Sequence, residues 1–331
     1  MARIAVNGMG RIGRALVKMV LDEPSLELVA MNDLVSAENI AYLLRFDTVY
    51  GRYDRPVEHG EKELVIDGTS YPFLSEKDPT KLPWKDMNID IVFESTGVFT
   101  KREDLEKHIQ AGARHALLSA PSKSEDVTTI VHGVNTPEGK PQIMSCASCT
   151  TNCITPVVEV MGRRVGFKKA IMTTIHAYTA SQAIVDGPHK KMRRGRAGAA
   201  NFVPTSTGAA IAATKALPQF EGLFDGVAVR APIPVGSIAD LVFLTDRKTS
   251  ADEVNDIFRE EAATDRYRGI LGASDDELVS ADIIRDDRAS IVDLGMTRVV
   301  DGDLVKLMAW YDNEWGYARQ MIREAVRIAG G

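Results

Sequence analysis

The sequence predicts an α/β protein of two domains, with a parallel sheet in the first domain and an α+β arrangement in the second. The chain of 331 residues is longer than one ordinary domain. In its first part, short apolar runs alternate with amphipathic stretches, which is typical of parallel strands joined by helices. From Phe167 onward, longer β-rich runs replace this alternation, and the fold class is therefore expected to change there.

The alternation predicts seven elements in the first domain. The strands are expected at Arg3–Asn7, Glu27–Met31, Ile89–Glu94 and His115–Ser119, and the helices at Arg11–Leu21, Ala37–Leu44 and Lys101–Ala111. Because strands and helices take turns along the chain, the strands should lie parallel in one sheet that the helices cover.

Longer β-rich runs separated by helical stretches predict the second domain. Its strands are expected at Lys169–Ile175, Gly226–Ala231, Ile238–Thr245, Ser290–Leu294 and Leu304–Tyr311. A closing helix is expected over Glu314–Ala329, after an Asp312-Asn313 start and before a Gly330-Gly331 stop. We therefore predict domains at residues 1–148 and 149–313, with a C-terminal helix in 314–331 that returns to complete the first domain.

A glycine motif lies between the first strand and the first helix. Gly8-Met9-Gly10-Arg11-Ile12-Gly13 has the spacing that permits a tight turn and close approach of a pyrophosphate to a helix N-terminus. Asp33 follows 20 residues after Gly13, where Rossmann folds hold the adenosine ribose. A glycine turn beside a surface aspartate is the alternative. The combination predicts a Rossmann dinucleotide-binding domain, and the charge of Asp33 favours NAD over NADP.

All three cysteines, Cys146, Cys149 and Cys153, lie within eight residues. Cys149 precedes an apolar stretch of helical character, and a helix N-terminus would favour its thiolate. We therefore expect Cys149 to have a lowered pKa and to act as a nucleophile. His176, which ends an apolar strand, is the best placed of the six histidines to serve as its base. Buried, unreactive cysteines and a structural histidine are the alternative.

Residues suited to binding phosphate surround this pair in the sequence. Hydroxyls, guanidinium groups and N–H donors at helix starts are the groups that a phosphate requires. The candidates are Thr179, Arg194, Arg230, the run Thr205-Ser206-Thr207-Gly208, and Ser148, Thr150 and Thr151. The basic run His189–Arg196 fits phosphate guidance and subunit contact, although a solvated loop or a nucleic-acid patch would have the same composition.

Composition excludes several classes of function. The 40 Lys and Arg against 46 Asp and Glu give a net charge of −6, which argues against general nucleic-acid binding. Apolar runs are far shorter than the roughly 20 residues that span a bilayer. The N-terminus has no signal-peptide core, so we expect a reducing cytoplasm without structural disulfides. No metal site is predicted.

The chain closely resembles the family of phosphorylating glyceraldehyde-3-phosphate dehydrogenases from Arg3 to its last helix. The matching motifs are Asn7–Arg14, Ser95–Gly97, Ser148–Cys153, Thr207–Ala210 and Trp310–Glu314. The resemblance implies oxidation of D-glyceraldehyde 3-phosphate to 1,3-bisphosphoglycerate through a hemithioacetal and a thioester. In that reaction Cys149 would be the nucleophile and His176 the base.

The resemblance also implies roles for the remaining site residues. Thr179 and Arg230 would lie near the C3 phosphate of the substrate. The attacking inorganic phosphate would contact Ser148, Thr150, Arg194, Thr207 and Gly208. The cofactor NAD would contact Arg11, Ile12, Asp33, Ser119 and Asn313 in addition to the glycines Gly8, Gly10 and Gly13. The family forms homotetramers whose S-shaped loop, here about Tyr178–Asn201, lies at a subunit interface.

The chain departs from the family pattern at two places. Cys146 stands where many relatives have Asn, so that Cys146 and Cys149 form a C-x-x-C. This raises a thiol–disulfide oxidoreductase as a rival function, or an oxidative switch in which Cys146 or Cys153 resolves an oxidised Cys149. Gly187-Pro188 replaces the usual Leu-Pro, which leaves NADP use open beside NAD.

Two related enzymes share the cysteine chemistry. Erythrose-4-phosphate dehydrogenase hydrolyses its acyl-enzyme and has less need of a second phosphate site, so the run Thr205–Gly208 favours the phosphorylating enzyme. Semialdehyde dehydrogenases of amino-acid biosynthesis match the motifs at Cys149–Cys153 and Trp310–Glu314 poorly. The sequence leaves the physiological direction of the reaction open.

Overall fold

The computed structural model describes residues 1–139 and 141–330 and divides into two compact units. The first consists of Met1–His132, Thr136–Ala147 and the chain from Met321 onward. The second consists of Gly133–Asn135 and Ser148–Gln320. Gly331, the second glycine of the predicted stop, lies outside the described residues.

Within the described ranges, the first unit contains eleven strands, three whole α-helices and the last part of a fourth. The strands are β1 (Ala2–Asn7), β2 (Leu26–Asn32), β3 (Phe46–Asp47), β4 (Gly51–Arg52), β5 (Val57–His59), β6 (Glu63–Ile66), β7 (Thr69–Leu74), β8 (Ile91–Glu94), β9 (His115–Leu118), β10 (Thr128–Thr129) and β11 (Ile143–Ser145). The three whole helices are α1 (Arg11–Asp22), α2 (Ala37–Arg45) and α3 (Arg102–Gln110). All seven predicted elements are present, with ends that differ by at most two residues.

Nine of these strands form one sheet in the order β10-β11-β9-β8-β1-β2-β7-β6-β5. Six parallel strands within it, β7-β2-β1-β8-β9-β11, have the strand order of the dinucleotide-binding Rossmann fold. The middle of β1, Ile4–Val6, is fully buried, as expected where both faces of a parallel sheet are covered. The antiparallel pairs β5–β6 and β6–β7 extend one edge and were not predicted.

The second unit is built on a mixed sheet. Its strands are β12 (Phe167–Ala177), β13 (Val203–Ser206), β14 (Phe224–Ala231), β15 (Ser237–Thr245), β16 (Leu271–Ser274), β17 (Ser290–Asp293), β18 (Arg298–Val300) and β19 (Leu304–Tyr311). The helices are α4 (Cys149–Arg164), α5 (Ala209–Ala216), α6 (Ala251–Ala263) and α7 (Trp315–Gly330), of which α7 passes into the first unit after Gln320. The sheet order is β13-β14-β12-β15-β19-β17-β16, and β18 pairs with β19.

The core of the second unit lies between this sheet and helix α4. Alternate residues of β15 are buried, which is the pattern of a strand with one face on a core. Cys153, Val157 and Met161 of α4 are buried in a hydrophobic cluster that includes Leu241 and Phe243 of β15. The start of α4 and the end of β12 are thereby held on a packed scaffold. Among the described residues, no helix has the length and apolar content needed to cross a membrane.

Candidate active site

A cleft in the first unit opens at the carboxyl ends of β1, β2 and β8. It has a volume of about 520 Å³. Its lining includes Asn7, Gly8, Gly10, Asp33 and Thr96. The strand order reverses at β1, and Rossmann folds bind dinucleotides at this position of the sheet.

The three glycines of the motif make different contributions to this cleft. Gly8 has a φ of +94°, and a Cβ there would lie 2.5 Å from the backbone nitrogen of Thr96. A Cβ on Gly13 would lie 1.9 Å from the carbonyl oxygen of Gly8, so α1 packs directly on the turn. A Cβ on Gly10 would meet nothing within 4 Å. The backbone before α1 is therefore accessible, as a pyrophosphate at a helix N-terminus requires.

Asp33 links the glycine turn to the segment after β2. Its Oδ2 accepts a hydrogen bond of 2.6 Å from the Met9 N–H, and its Oδ1 accepts one of 3.0 Å from the Val35 N–H. The carboxylate is half-buried at the rim of the cleft. A ribose hydroxyl can donate to a carboxylate held in this way, whereas a 2′-phosphate would be repelled by it.

The other cofactor candidates occupy both units. Ile12 lies in the first turn of α1, and Arg11 forms an ion pair with Asp47. Ser119 follows β9, on the same edge of the sheet as the glycine turn, and its N–H donates to Glu94 O at 3.0 Å. Asn313, in the second unit, accepts hydrogen bonds at Oδ1 from the Gly236 N–H and the Ser237 hydroxyl. These two bonds define the orientation of its amide.

A thiol and an imidazole meet at the start of α4. Ser148 caps this helix, because its Oγ accepts a 3.1 Å hydrogen bond from the Thr151 N–H. Cys149 is the first helical residue, as predicted, and His176 lies near the end of β12. The distance between Cys149 Sγ and His176 Nε2 is 3.3 Å. This contact permits proton transfer between the two side chains.

Tyr311 completes the surroundings of the imidazole and was not recognised as a site residue in the sequence. Its ring meets that of His176 edge-on, with centroids 5.9 Å apart. Its hydroxyl is shared with Thr150 Oγ1 at 2.9 Å and Thr174 Oγ1 at 2.8 Å. The Thr150 hydroxyl, a predicted phosphate ligand, therefore already has a buried partner. The alternation of β19, which buries Tyr311 at its end, was the available sequence signal.

Burial opposes a charge on either member of the pair. It raises the pKa of the Cys149 thiol, although the charge of Arg230 and hydrogen bonds at Thr150 act in the opposite direction. With the thiol neutral, burial and the charge of Arg230 lower the pKa of His176 to about 3. Burial thus outweighs the hydrogen bonds of the helix start, and the expectation of a lowered thiol pKa is wrong. A thiolate here depends on passing its proton to His176, so that the two charges attract each other.

Arg230 contacts His176 on the side away from the sulfur. Its Nη1 lies 2.7 Å from His176 Nδ1 and donates to Ala177 O at 3.1 Å. Its Nε is buried without a hydrogen-bond partner among the described residues. An unsatisfied buried donor of a guanidinium group is what an anionic ligand would satisfy.

Arg194 brings a second positive charge to the same site. It donates to Thr205 Oγ1 at 3.0 Å and to Ser181 Oγ at 3.4 Å, and Ser181 shares a hydrogen bond of 2.8 Å with Thr179. Burial is the main cause that lowers the pKa of Arg230. The charge of Arg194 also lowers it, whereas Cys149 acts in the opposite direction. Neither guanidinium pairs with a carboxylate in the part of the chain that the structure describes. Two positive charges without a counterion form a candidate phosphate site.

The remaining phosphate candidates meet where α4 and α5 begin. Thr151 Oγ1 lies 2.8 Å from Ser148 Oγ and donates to Ala209 O at 3.4 Å. Thr207 Oγ1 accepts a 3.2 Å hydrogen bond from the Ala209 N–H, and the exposed Gly208 precedes α5. Hydrogen bonds through Thr151 and Ala209 therefore connect Ser148 with Thr207, which is next to Gly208. The Ser148 hydroxyl is already used to cap α4.

The two other cysteines are buried and form no disulfide in the described residues. Burial, with a smaller contribution from Glu324, raises the pKa of Cys146. Burial also raises the pKa of Cys153 to about 12, and its thiol faces Ser290 Oγ and Ala309 O. Since the thiolate is the attacking species in disulfide exchange, these surroundings argue against either thiol as a resolving cysteine.

The chain combines a Rossmann unit with a thiol–imidazole pair and a candidate phosphate site. This combination is typical of the nicotinamide-dependent dehydrogenases that form thioesters from phosphorylated aldehydes. The chain belongs to the glyceraldehyde 3-phosphate dehydrogenase family. Residues 2–102 match that family's NAD binding domain, and residues 148–313 match its C-terminal domain.

Curated relatives match the chain over nearly its whole length. The glyceraldehyde-3-phosphate dehydrogenase of Streptomyces coelicolor is 45% identical over 324 residues, which cover 97% of this chain and 96% of the relative. The enzyme of that name from Thermotoga maritima is 45% identical over 326 residues, 97% of each chain. The one from Geobacillus stearothermophilus is 43% identical over 330 residues, 99% of this chain and 98% of the relative.

Proposed function

We propose that this chain oxidises D-glyceraldehyde 3-phosphate with NAD and inorganic phosphate to give 1,3-bisphosphoglycerate. The observation that carries the proposal is the 3.3 Å contact between Cys149 Sγ and His176 Nε2 at the start of α4. Erythrose-4-phosphate dehydrogenase is not favoured, since the relatives described above carry the glyceraldehyde-3-phosphate name.

The cleft of the first unit fits the cofactor. Its pyrophosphate would be held by the glycine turn and the start of α1, and its adenosine ribose by Asp33. Bound NAD supplies the hydride acceptor for oxidation of the substrate carbon. We assign Gly8, Gly10, Gly13, Arg11, Ile12, Asp33 and Ser119 of the first unit and Asn313 of the second unit to cofactor binding. NAD is the cofactor, and NADP is a second cofactor to be tested beside it.

The chemical steps follow from the two reacting side chains. Cys149 Sγ forms a bond to the aldehyde carbon, and protonated His176 Nε2 passes its proton to the resulting alkoxide. During oxidation, Nε2 takes this proton back from the hemithioacetal hydroxyl, and a thioester remains on Cys149. An oxygen of inorganic phosphate then attacks the thioester carbon, and the Cys149 thiolate leaves. Backbone N–H groups at the start of α4 would stabilise the oxyanions.

Two phosphates must be bound in this sequence of steps. We assign Arg230 and Thr179 to the C3 phosphate of the substrate. Arg194, with Ser148, Thr150, Thr207 and Gly208, is assigned to the attacking phosphate. The two guanidinium groups without carboxylate partners in the described residues support a site that holds anions. The hydrogen bond between Thr150 and Tyr311 suggests that Thr150 orients the site rather than contacting phosphate by its hydroxyl.

We further propose that the chain assembles as a homotetramer through the second unit. Ile184 and Met192 in the segment 178–201 are 87% and 88% exposed, and Phe202 next to it is 70% exposed. Ile171 of β12 and Val227 of β14 are also exposed on the sheet. Contiguous exposed apolar patches commonly mark an interface, and these side chains are the candidates for one in this unit. We also propose a cytoplasmic location, in which the three cysteines, which form no disulfide in the described residues, would stay reduced. Light scattering after size-exclusion chromatography tests the assembly.

One assay tests the proposed reaction. Glyceraldehyde 3-phosphate and NAD are mixed with the enzyme, with and without inorganic phosphate, and reduced nicotinamide is followed by its absorbance. We expect sustained turnover only with phosphate, and loss of turnover in Cys149→Ser. Sustained turnover without phosphate would contradict capture of the acyl group by phosphate and would favour a hydrolytic enzyme.

A further inference from the structure

A row of polar side chains runs through the interior of the first unit beneath the cleft. Asn32, Asn7 and Glu94 end the adjacent strands β2, β1 and β8 and lie opposite each other in register. His108 on α3 and Trp84 extend the row into the core. The exposed fractions of these five residues do not exceed 4%. Polar groups buried so deeply are costly unless every one is paired.

The row has a defined direction of hydrogen bonding. The indole N–H of Trp84 can only donate, and it lies 3.1 Å from His108 Nδ1. His108 Nδ1 must therefore accept, which places the ring proton on Nε2. Nε2 then donates to Glu94 Oε2 at 3.0 Å. Trp84 thus selects the neutral tautomer of His108 that supports the Glu94 carboxylate.

Glu94 uses both oxygens to hold groups that line the cleft. Oε2 also accepts from Asn7 Nδ2 at 2.6 Å, and Oε1 accepts from the Thr96 N–H at 2.8 Å and from the Thr96 hydroxyl. Asn7 Oδ1 in turn accepts from Asn32 Nδ2 at 2.7 Å. Asn32 exchanges hydrogen bonds with the backbone of Glu76. Asn7, Asn32, Glu76 and Thr96 all line the cleft.

The position of Thr96 bears directly on the glycine turn. The backbone of Thr96 approaches Gly8 so closely that a Cβ on Gly8 would lie 2.5 Å from its nitrogen. A shift of Thr96 would therefore change the space available to the turn that is proposed to hold the pyrophosphate. Neither Glu94, His108 nor Trp84 lines the cleft, so these residues can act only through Thr96 and Asn7.

We propose that Trp84, His108 and Glu94 are positioning residues for the dinucleotide, which hold Thr96 and Asn7 at the floor of the cleft from inside the domain. The inference rests on the proposed function in one respect, that the cleft binds NAD. The three residues set cofactor affinity without touching the cofactor, and they have no part in the chemistry at Cys149.

Three substitutions at two residues separate this role from general stability. His108→Leu removes both hydrogen bonds of the ring, whereas His108→Gln keeps an amide donor for Glu94 and an acceptor for Trp84. Glu94→Gln places an NH₂ group against the Thr96 N–H or against the donors of Asn7 and His108. We expect His108→Leu and Glu94→Gln to raise the Kd and KM for NAD by roughly tenfold. At saturating NAD, kcat should stay within about twofold, and His108→Gln should recover most of the affinity.

Glu324→Gln is the matched control. Glu324 is a buried carboxylate of the same unit that accepts from His132 and Arg327 and does not line the cleft. The Glu324→Gln substitution should lower the melting temperature without changing the Kd for NAD. Hydrogen exchange in cofactor-free protein gives a second measurement, in which a peptide containing Thr96 should lose protection in His108→Leu but not in Glu324→Gln.

The possible failures can be told apart. A wild-type chain that does not bind NAD would contradict the proposed function, while hydrogen exchange at Thr96 would still test the positioning. Unchanged NAD affinity and unchanged exchange in folded His108→Leu would overturn the inference alone. A loss of affinity in Glu324→Gln equal to that in His108→Leu would also overturn it, because the effect would then follow stability. If Glu94→Gln fails to fold, the His108 pair decides the question.

Discussion

Replacement of His176 by Asn should raise the pKa of the Cys149 thiol. In the wild-type protein the thiol proton can pass to Nε2 at 3.3 Å, which leaves two opposite charges in contact. At an effective dielectric constant near 20, their attraction over this distance is about 5 kcal/mol. Loss of this attraction disfavours the thiolate and therefore raises the pKa of the thiol. The attraction energy is an upper limit for the change, because an asparagine amide can still donate to the thiolate.

The rate of alkylation of Cys149 by iodoacetamide, measured across about pH 5 to pH 10 in ligand-free protein, reports the thiolate directly. Mass spectrometry assigns the modified residue, and Cys149→Ser provides the blank. Arg230→Gln serves as a comparison, because its charge also lowers the thiol pKa while the imidazole remains. If the alkylation rate of His176→Asn has the same pH midpoint as that of the wild type, the argument is refuted, because the imidazole would then not stabilise the thiolate.

Two further predictions concern stability and the cofactor cleft. Burial would raise the pKa of Glu324, but hydrogen bonds from His132 and Arg327 outweigh it and lower the pKa. The lowered pKa means that the Glu324 carboxylate adds to the free energy of unfolding. This contribution is present above the unfolded pKa of about 4.3 and is lost as pH falls through the folded pKa. The free energy of unfolding, measured with denaturant between about pH 3 and pH 7, should therefore depend less on pH in Glu324→Gln than in the wild type. An equal dependence on pH in the two proteins would contradict this. Gly10→Ala should keep the melting temperature but weaken NAD binding, whereas Gly13→Ala should lower the melting temperature, because only its Cβ would meet the Gly8 carbonyl. Equal melting temperatures for the two alanine variants would refute the assignment of Gly13, rather than Gly10, to the packing of α1 on the turn.

Much of the fold was predictable because its signals are local. The glycine motif follows a buried strand and begins a helix, and Cys149 begins α4 as its sequence context indicated. The short antiparallel strands β5 and β6 were missed. A strand of three or four residues shows too few alternations to be distinguished from a loop.

The electrostatics of the site could not be predicted in the same way. The helix start at Cys149 is visible in the sequence, but the burial that raises its pKa is produced by residues distant along the chain. Tyr311 reaches Thr150 across 161 positions of sequence, and Glu94 meets Asn7 across 87. Glu94 did leave one signal, a charged residue at the end of a buried strand. Its partners Trp84 and His108 left none, because their hydrogen bonds depend on the packing of α3 against the sheet.

Hydrogen-bond saturation distinguishes residues that bind a ligand from residues that position others. Both oxygens of Glu94 accept hydrogen bonds from within the first unit, so its carboxylate has little capacity left for a ligand. Arg230 in the second unit is also largely buried, yet its Nε has no partner among the described residues and its charge has no carboxylate beside it. A buried charge that is fully bonded stabilises one arrangement of its neighbours, whereas an incompletely bonded one is stabilised when an anion arrives. Substitution of Glu94 should accordingly change how well the cleft is formed, and substitution of Arg230 should change how strongly phosphate is held.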